Sequence, residues 1–228
     1  MSDSISPSMQ RLIAGTRTFR QRIFLEKQDV YEQLAREGQR PHTLLITCAD
    51  SRIEPEQLTQ SGPGDIFVAR NVGNLVPAYG QVLGGVSAVI EYAVLALEVS
   101  QIVVCGHTHC GAMTALLNPE QLKSMPTCRE WLKNAEAALS IAQARTEGDK
   151  APEAGRLIEE NVLLQLSHLR THPSVAGRLA MGTLTVHGWV YDIGTGSVEM
   201  YDEALKRFVE LNPLEETADA ERAAKASR

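Results

Sequence analysis

Apolar runs of strand length, interrupted by a helical stretch, constrain the fold of this chain more than any other feature. Thr43 to Thr47 and Asp65 to Arg70 are β-prone, Gly84-Gly85 introduces a helical stretch rich in Ala, Val and Leu to Glu98, and Ile102 to Val104 is wholly apolar. A continuously apolar strand suits a sheet that is covered on both faces. Strands that are joined through a helix imply a parallel sheet, so the pattern predicts an α/β fold.

Helical patterns and a final hairpin surround this sheet. Pro7 to Arg36 predicts a long or broken N-terminal helical arm, and more helices are expected up to Leu117, over Cys128 to Ala144 and over Pro152 to Arg170. Thr183 to Asp192 and Ser197 to Tyr201 flank a Gly-Thr-Gly turn and predict a C-terminal antiparallel hairpin. We expect a mostly parallel central β-sheet flanked by helices, in one domain over residues 1–228 with flexible tails at 1–8 and 215–228.

Charge and composition argue against several classes of protein. The formal net charge of −6 and the pI near 5.6 argue against nucleic-acid binding, because phosphates are neutralised by clustered Lys and Arg. No apolar run approaches the ~20 residues of a membrane span, and Met1 to Met9 is polar and Ser-rich, so we expect no membrane association and a cytoplasmic location. There the four cysteines are reduced thiols or ligands rather than a disulfide framework.

Three residues suited to binding a metal follow two of the predicted strands. Cys48 comes directly after Thr43 to Thr47, and His107 and Cys110 follow Ile102 to Val104 with a His-x-x-Cys spacing that lets one loop supply two ligands. Open parallel sheets place their ligands beyond the carboxyl ends of strands. Two thiolates and one imidazole fill three positions of a tetrahedron, as expected of a catalytic zinc that keeps its fourth position for water or substrate.

These assignments have plainer alternatives. Cys and His are also used for packing, and Cys105 and Cys128 are better explained as packed or partly exposed residues. His109 is the rival of His107, but two adjacent residues such as His109 and Cys110 do not readily bind one ion in such a loop. We therefore prefer His107, and interpret His109 as either a partly exposed proton acceptor or a polar loop residue.

A carboxylate and a guanidinium lie near the first of these cysteines in sequence. Asp50 is two residues from Cys48, and Arg52 is placed to hold it by a bidentate hydrogen bond, although the pair also fits an ordinary surface ion pair. Because two thiolates leave the zinc formally neutral, they dampen the acidity of its bound water. Asp50 then has a use, since it can accept the hydrogen bond of a zinc-bound hydroxide and leave a lone pair aimed at an electrophile.

Ordered motifs over most of the chain resemble those of β-class carbonic anhydrases. They are Cys-Ala-Asp-Ser-Arg from Cys48, Arg-Asn-Val-Gly-Asn from Arg70, Ile-Glu-Tyr-Ala from Ile90 and Gly-His-x-x-Cys-Gly from Gly106. The resemblance covers about residues 9 to 212. Segments that begin at His172 and His187 look particularly like the bacterial branch associated with cyanate degradation.

The resemblance implies a zinc enzyme that interconverts carbon dioxide and bicarbonate, with one Zn²⁺ per subunit. Its ligands would be Cys48, His107 and Cys110, and Asp50 would be paired with Arg52. We expect zinc-bound hydroxide to attack carbon dioxide, and a proton then to pass to buffer. Because the thiolates dampen the acidity of zinc, activity is expected to rise toward alkaline pH.

The resemblance also implies a substrate wall and an oligomer. In plant-like members the substrate meets residues that match Gln39, Phe67, Val72 and Tyr92, and Gly111 belongs to the same substrate-binding set. The family forms dimers whose subunits share active-site walls, and the apolar face of the N-terminal arm needs a cover. We therefore expect a homodimer or a multiple of it, such as a tetramer or octamer.

Three positions depart from the family's patterns. Thr108 and Ala112 replace the serine and glycine that are usual in plant-like members, and Leu45 stands where the other type has a tryptophan of a noncatalytic bicarbonate site. We therefore expect the plant-like type, in which Asp50 stays on Arg52. Two other functions stay open: hydrolysis of an analogue such as carbon disulfide, and a zinc-storing or redox-sensing protein, in which Asp50 and Arg52 would have no evident role.

Overall fold

A computed structural model describes residues 5–80, 84–146 and 153–211 of the chain. Its strands are β1 (Thr43–Cys48), β2 (Ile66–Asn71), β3 (Gln101–His107), β4 (Thr185–Tyr191), β5 (Val198–Asp202) and β6 (Arg207–Glu210). Its α-helices are α1 (Pro7–Thr18), α2 (Phe24–Glu26), α3 (Gln28–Glu37), α4 (Pro55–Leu58), α5 (Gly85–Glu91), α6 (Gly111–Leu117), α7 (Pro126–Leu132), α8 (Glu136–Ala144), α9 (Ala154–Leu169) and α10 (Pro173–Ala180). Short π-helical segments span Phe19–Ile23 and Tyr92–Ala96, and 3-10 turns span Pro119–Leu122 and Lys133–Ala135.

One six-stranded sheet organises the chain in the order β2-β1-β3-β4-β5-β6. The strands β2, β1, β3 and β4 are parallel, while β5 and β6 run antiparallel at one edge. The predicted α/β fold, with its parallel sheet and C-terminal antiparallel hairpin, is therefore confirmed. From β1 the chain steps out to β2 and then returns past β1 to β3. Such a reversal of strand order opens a crevice beyond the carboxyl ends of β1 and β3, where ligands bind in open α/β sheets.

The main core lies between one face of the sheet and the helices packed on it. Leu44 and Ile46 of β1 point into this core and are fully buried. Their neighbour Leu45 points to the opposite face, where it forms a smaller buried cluster with Val103 and Cys105. Every position of β1 is therefore buried, which explains why the strand is a continuous apolar run.

Helix α9 comes close to the sheet because glycines face it. A Cβ on Gly106 of β3 would lie 2.8 Å from Val162 Cγ2, and a Cβ on Gly188 of β4 would lie 2.8 Å from Val162 Cγ1. Side-chain carbons do not tolerate contacts this short, so only glycine lets the backbone of the two strands meet α9. Val162 itself is fully buried at this contact.

The N-terminal arm is helical, as predicted, but it is broken twice. The π-helical segment Phe19–Ile23 joins α1 to α2, and Lys27, with φ −124° and ψ 20°, separates α2 from α3. None of these helical segments buries a residue within the chain, and Leu12 and Phe19 are exposed. No proline interrupts residues 8–40, so the apolar periodicity carries no signal for the breaks.

Several element ends differ from the expectation. Strand β3 extends to His107, and the short elements α10 and β6 were not predicted, because eight helical residues or four strand residues produce little periodicity. Helix α1 already begins at Pro7, inside the stretch 1–8 expected to be a tail, while the tail expected at 215–228 lies outside the described residues. None of the helices in the described ranges combines the length and the apolar character needed to cross a bilayer.

Gly188→Ala is expected to destabilise the fold by about 1–3 kcal/mol, because the added methyl group overpacks the contact with α9. Gly177→Ala is the matched control, since it lies inside α10 with no atom within 4 Å of the added Cβ. Alanine should stabilise that helix by roughly 0.5–1 kcal/mol. Urea unfolding at one protein concentration measures both. A Gly188→Ala protein as stable as wild type would contradict the close approach of α9.

Candidate metal centre

Two cysteines and a histidine converge where the strand order reverses. Cys48 is the last residue of β1, and His107 is the last residue of the adjacent strand β3. Cys110 follows as the N-cap of α6, after His109 with φ +56° turns the chain from the strand into the helix. The ligand atoms of the two cysteines and His107 all lie within 4.8 Å of one another, and the three residues are buried.

The hydrogen bonds of His107 show which of its nitrogens faces the cysteines. Nδ1 lies 2.9 Å from the carbonyl oxygen of Thr108 and donates its hydrogen there, so Nε2 carries the lone pair. Nε2 is buried and has no hydrogen-bond partner among the described residues. A buried acceptor without a partner is destabilising unless something else binds it. Beside two thiol groups, the lone pair fits a metal ion.

The electrostatics of the two cysteines favour a cation. The pKa of Cys48 is lowered, chiefly because the Cys110 thiol donates a hydrogen bond to its sulfur, and also because the amide of Gly73 donates to it, which together outweigh burial. The same hydrogen bond, together with burial, raises the pKa of Cys110. The first proton of the pair is therefore lost more readily than the second, and a bound cation would favour the loss of both. Thiolate and imidazole are the ligands that Zn²⁺ prefers, so the donor set fits zinc.

The loop after β2 presses against Cys48. Gly73 has φ +82°, and its amide donates a hydrogen bond to Cys48 Sγ over 3.4 Å. Helix α9 also contacts this loop, because Asn161 Nδ2 donates a hydrogen bond to the Gly73 carbonyl over 3.1 Å. One turn further on, Gln165 Oε1 accepts the amide hydrogen of Val76 over 2.8 Å. Both α9 side chains are buried, so the loop is fixed by hydrogen bonds that water does not reach.

Asp50 and Arg52 form the bidentate contact that the sequence predicts. Arg52 Nε donates to Asp50 Oδ1 over 2.9 Å, and Nη2 donates to Oδ2 over 2.7 Å. The same Nη2 donates to the carbonyl of His109 over 3.0 Å, and Asp50 Oδ2 lies 4.0 Å from His107 Nε2. These hydrogen bonds from Arg52 lower the pKa of Asp50, although partial burial opposes them. An ionised carboxylate is therefore fixed at the edge of the cysteine and histidine cluster.

Arg70 has a structural role that sequence reasoning did not assign. Its Nε donates to the carbonyl of Cys48 over 3.2 Å, and its Nη2 donates to the carbonyl of Asp50 over 2.6 Å. The guanidinium therefore binds backbone carbonyls on both sides of Ala49 and stabilises the conformation of this segment. A cationic residue at the end of an otherwise apolar strand, next to the strand that carries Cys48, was the available signal.

Trp131 is a second residue that sequence reasoning missed. Its indole Nε1 on α7 donates to the carbonyl of Val72 over 2.8 Å. No local pattern connects a tryptophan in the second half of the chain with this loop, so only the structure identifies the contact. His109, the rival ligand, is exposed and lies outside the group of three.

Two of the predicted substrate-binding residues lie at the metal-binding end of the sheet. Val72 is exposed in the loop that contacts Cys48, and Gly111 is the first residue of α6, directly after Cys110. Nothing lies within 4 Å of a Cβ built on Gly111, so the space beside its backbone is open.

The other three predicted substrate-binding residues lie at the opposite end. Phe67 pairs with Leu44, about 13 Å along β1 from Cys48 at the usual rise of a strand. The rings of Phe67 and Tyr92 have centroids 6.0 Å apart, and Gln39 precedes β1. A single chain therefore does not bring Gln39, Phe67 and Tyr92 to the cysteines.

Comparisons with known proteins agree with this arrangement. A family model described as carbonic anhydrase matches residues 43–198. A relative named carbonic anhydrase 1, from Escherichia coli O157:H7, is 47% identical over 203 residues, which are 89% of this chain and 92% of the relative. A carbonic anhydrase of Synechocystis sp. is 45% identical over 215 residues, 91% of this chain and 77% of that protein. The structure of the β-carbonic anhydrase CcaA superposes with a TM-score of 0.85 at 43% identity and covers 92% of this chain and 94% of that one.

Cys48→Ser is expected to weaken zinc binding by more than about 100-fold, because even the partners of zinc ligands are worth about 10- to 100-fold in affinity. Cys128→Ser is the matched control, since Cys128 is half-buried on α7 and lies outside the group of three. Competition with a chromogenic zinc chelator, with elemental analysis of the purified proteins, measures both. Equal zinc content and affinity in the two variants would remove Cys48 from the ligand set.

Proposed function

Because the chain belongs to the β-class carbonic anhydrase family, we propose that it catalyses the reversible hydration of carbon dioxide to bicarbonate and a proton with one Zn²⁺ per subunit. The ligands are Cys48, His107 and Cys110. The observation that carries the proposal is the buried Nε2 of His107, which has no hydrogen-bond partner in the described ranges and lies within 4.8 Å of two thiols, with the Asp50 carboxylate 4.0 Å away. A storage or sensor site would give that fixed carboxylate no role.

Zn²⁺ in this site supplies a Lewis acid that lowers the pKa of a water molecule and makes it a nucleophile for carbon dioxide. Asp50 accepts a hydrogen bond from the reacting water. Because Arg52 occupies both carboxylate oxygens and keeps the pKa of Asp50 low, the carboxylate acts as an acceptor and not as a proton donor. The oxygen of the water is thereby oriented with a lone pair directed away from Asp50 and toward the substrate.

Arg52 and Arg70 make this carboxylate rigid. Arg52 is itself anchored on the His109 carbonyl, and Arg70 holds the backbone carbonyl of Asp50. Orientation of a reacting group to within a fraction of an ångström is worth several kcal/mol of the barrier. We propose the plant-like type, in which Asp50 stays on Arg52, and the buried Leu45 in place of a tryptophan supports this.

The substrate wall is completed by a second copy of the chain. Gln39, Phe67 and Tyr92 lie at the amino end of the strands and cannot reach the cysteines of their own subunit. Tyr92 is half-exposed and begins a π-helical segment, a feature that is frequent at functional sites. A two-fold dimer brings the same residues of the partner to each metal centre, where Gln39 donates to bicarbonate and the two rings line the carbon dioxide site. The exposed apolar residues of the N-terminal arm supply a surface for this dimer.

Location and physiological role belong to the same proposal. Two thiols as close as those of Cys48 and Cys110 persist in a reducing compartment, which supports the cytoplasm. The segments at His172 and His187 support the branch associated with cyanate degradation. Genes for cyanate metabolism beside the coding sequence would support that branch, and their absence would favour general bicarbonate supply or pH control.

Asp50→Asn is expected to lower kcat/KM for carbon dioxide hydration by about 100-fold or more while zinc stays bound, because the amide is uncharged and its Nδ2 cannot accept the hydrogen bond of Arg52 that orients the group. Stopped-flow hydration with an indicator dye, on protein of measured zinc content, makes the test. Glu120→Gln is the control, since Glu120 is a solvent-exposed acid that pairs with Lys123 and does not belong to the cysteine and histidine cluster. In the wild type kcat/KM should rise with pH toward a plateau, because thiolates make the reacting water a weak acid, and the ionised Asp50 adds no acidic limb.

Two results would contradict this assignment. An Asp50→Asn enzyme as fast as wild type would remove Asp50 from the reaction. A zinc-loaded wild-type protein that is inactive on carbon dioxide at alkaline pH, but hydrolyses carbon disulfide, would show that carbon disulfide is the substrate of this site.

Mixed dimers test the shared wall. Cys48→Ser and Gln39→Ala homodimers should each be weakly active, whereas a dimer with one subunit of each kind has one site in which the ligands and the wall are both intact. Random mixing of equal amounts should therefore restore roughly a quarter of wild-type activity. Mixing Cys48→Ser with Cys110→Ser is the control, because both changes lie on the ligand side and no intact site can form. No recovery in the first mixture would place the wall and the ligands in one subunit.

A further inference from the structure

We propose that Trp131 is a positioning residue for the metal ligand Cys48, and that it acts through the peptide group between Val72 and Gly73. The inference rests on the proposed zinc function, and it adds a residue that none of the motifs contains. In the hydrogen bonds described above, Trp131 does not contact the cysteines, and it meets the predicted substrate-binding residues at the backbone carbonyl of Val72. Its effect is exerted on the sulfur by way of one backbone amide.

The geometry is a chain of two hydrogen bonds through one peptide. Trp131 Nε1 donates to the Val72 carbonyl over 2.8 Å, and the Gly73 amide donates to Cys48 Sγ over 3.4 Å. These two groups are the opposite ends of a single planar peptide unit, in which the C=O and the N–H point in opposite directions. The indole therefore both fixes the direction of the N–H and polarises it, because hydrogen bonds in series strengthen one another in a medium of low dielectric constant.

The other contacts of Gly73 leave this peptide little freedom to compensate. Asn161 Nδ2 holds the next carbonyl, that of Gly73, over 3.1 Å. A Cβ on Gly73 would lie 3.2 Å from Ala112 Cβ and 3.3 Å from Met113 Cε, so the residue is packed against α6. Because Gly73 is fixed, the orientation of the peptide between Val72 and Gly73 depends on the hydrogen-bond donor to the Val72 carbonyl. Val72 itself is exposed, and the indole is the side-chain donor on its carbonyl among the described residues.

The hydrogen bond from the Gly73 amide changes the electron density on the sulfur of Cys48. An N–H that points at a thiolate withdraws density from it, and the sulfur then donates less strongly to a metal ion. Loss of the indole hydrogen bond should weaken that N–H contact and leave the sulfur a stronger donor. The metal then becomes a weaker Lewis acid, which slows the reaction without removing a ligand.

The two tryptophans of the chain provide a matched pair of variants. Trp131→Phe removes the donor and keeps an aromatic ring, whereas Trp189→Phe removes a buried Nε1 that has no hydrogen-bond partner among the described residues. Each protein is prepared with Zn²⁺ for kinetics and with Co²⁺ for absorption spectroscopy. The Co²⁺ form reports the thiolate-to-metal charge-transfer band, whose energy falls as the sulfur becomes a stronger donor.

Trp131→Phe is expected to move the charge-transfer band to longer wavelength and to lower kcat about tenfold, with metal content and KM unchanged. Trp189→Phe should leave the band and kcat as in the wild type. A band in Trp131→Phe that superimposes on the wild-type band overturns the proposal, even if activity falls, because the sulfur is then unaffected. A wild-type protein that shows no thiolate band with Co²⁺ would overturn the proposed metal site together with this inference, so the two failures are distinguishable.

A second variant guards against a loss of folding in Trp131→Phe. In the Trp189→Phe background, biosynthetic replacement of the remaining tryptophan by benzothienylalanine exchanges the indole N–H for sulfur and keeps the shape of the ring. The same shift of the band to longer wavelength is expected, at an unchanged thermal midpoint. An unshifted band in this protein overturns the proposal independently.

Discussion

The packing of α9 against β3 and β4 is the constraint on which the metal centre depends. Val162 fits against the backbone of these strands because Gly106 and Gly188 carry no side chain. This close approach brings Asn161 and Gln165, on the same helix, within hydrogen-bond distance of the loop after β2. The helix that closes the hydrophobic core therefore also fixes the backbone that contacts Cys48. The packing of the core therefore also sets the position of the loop beside Cys48.

The charges around the cluster are arranged to suit a cation and a reacting water at the same time. The lowered pKa of Cys48 favours a thiolate that attracts a cation, and Nε2 of His107, which has no partner in the described part of the chain, offers a lone pair. Arg52 donates to both oxygens of the Asp50 carboxylate. An isolated carboxylate so near a metal ion would be drawn to it by charge alone. In the proposed mechanism the arginine therefore separates the binding of the metal from the orientation of the water.

The predicted substrate wall and the candidate metal ligands lie at opposite ends of the sheet in one chain. The candidate metal ligands lie at the carboxyl ends of the strands, whereas Phe67 and Tyr92 lie together near the amino ends. The N-terminal helices bury none of their residues within the chain. Tyr92, near the amino ends of the strands, is also half-exposed. Exposed apolar residues of this kind often mark an interface with another protein chain. Together with wall residues that lie away from the cysteines of their own chain, they support the proposed shared dimeric site.

The sequence by itself determined the features that depend on neighbours in the chain. Continuous apolar runs predicted a sheet covered on both faces, the His-x-x-Cys spacing predicted two ligands from one loop, and the two-residue separation of Asp50 and Arg52 predicted their bidentate contact. Such contacts follow from local backbone geometry. Only the tertiary structure decided the contacts of Trp131 with Val72 and of Asn161 with Gly73, and the distance that separates the aromatic wall from the cysteines. These depend on how helices far apart in sequence pack on the sheet, and no local pattern of residues encodes that packing.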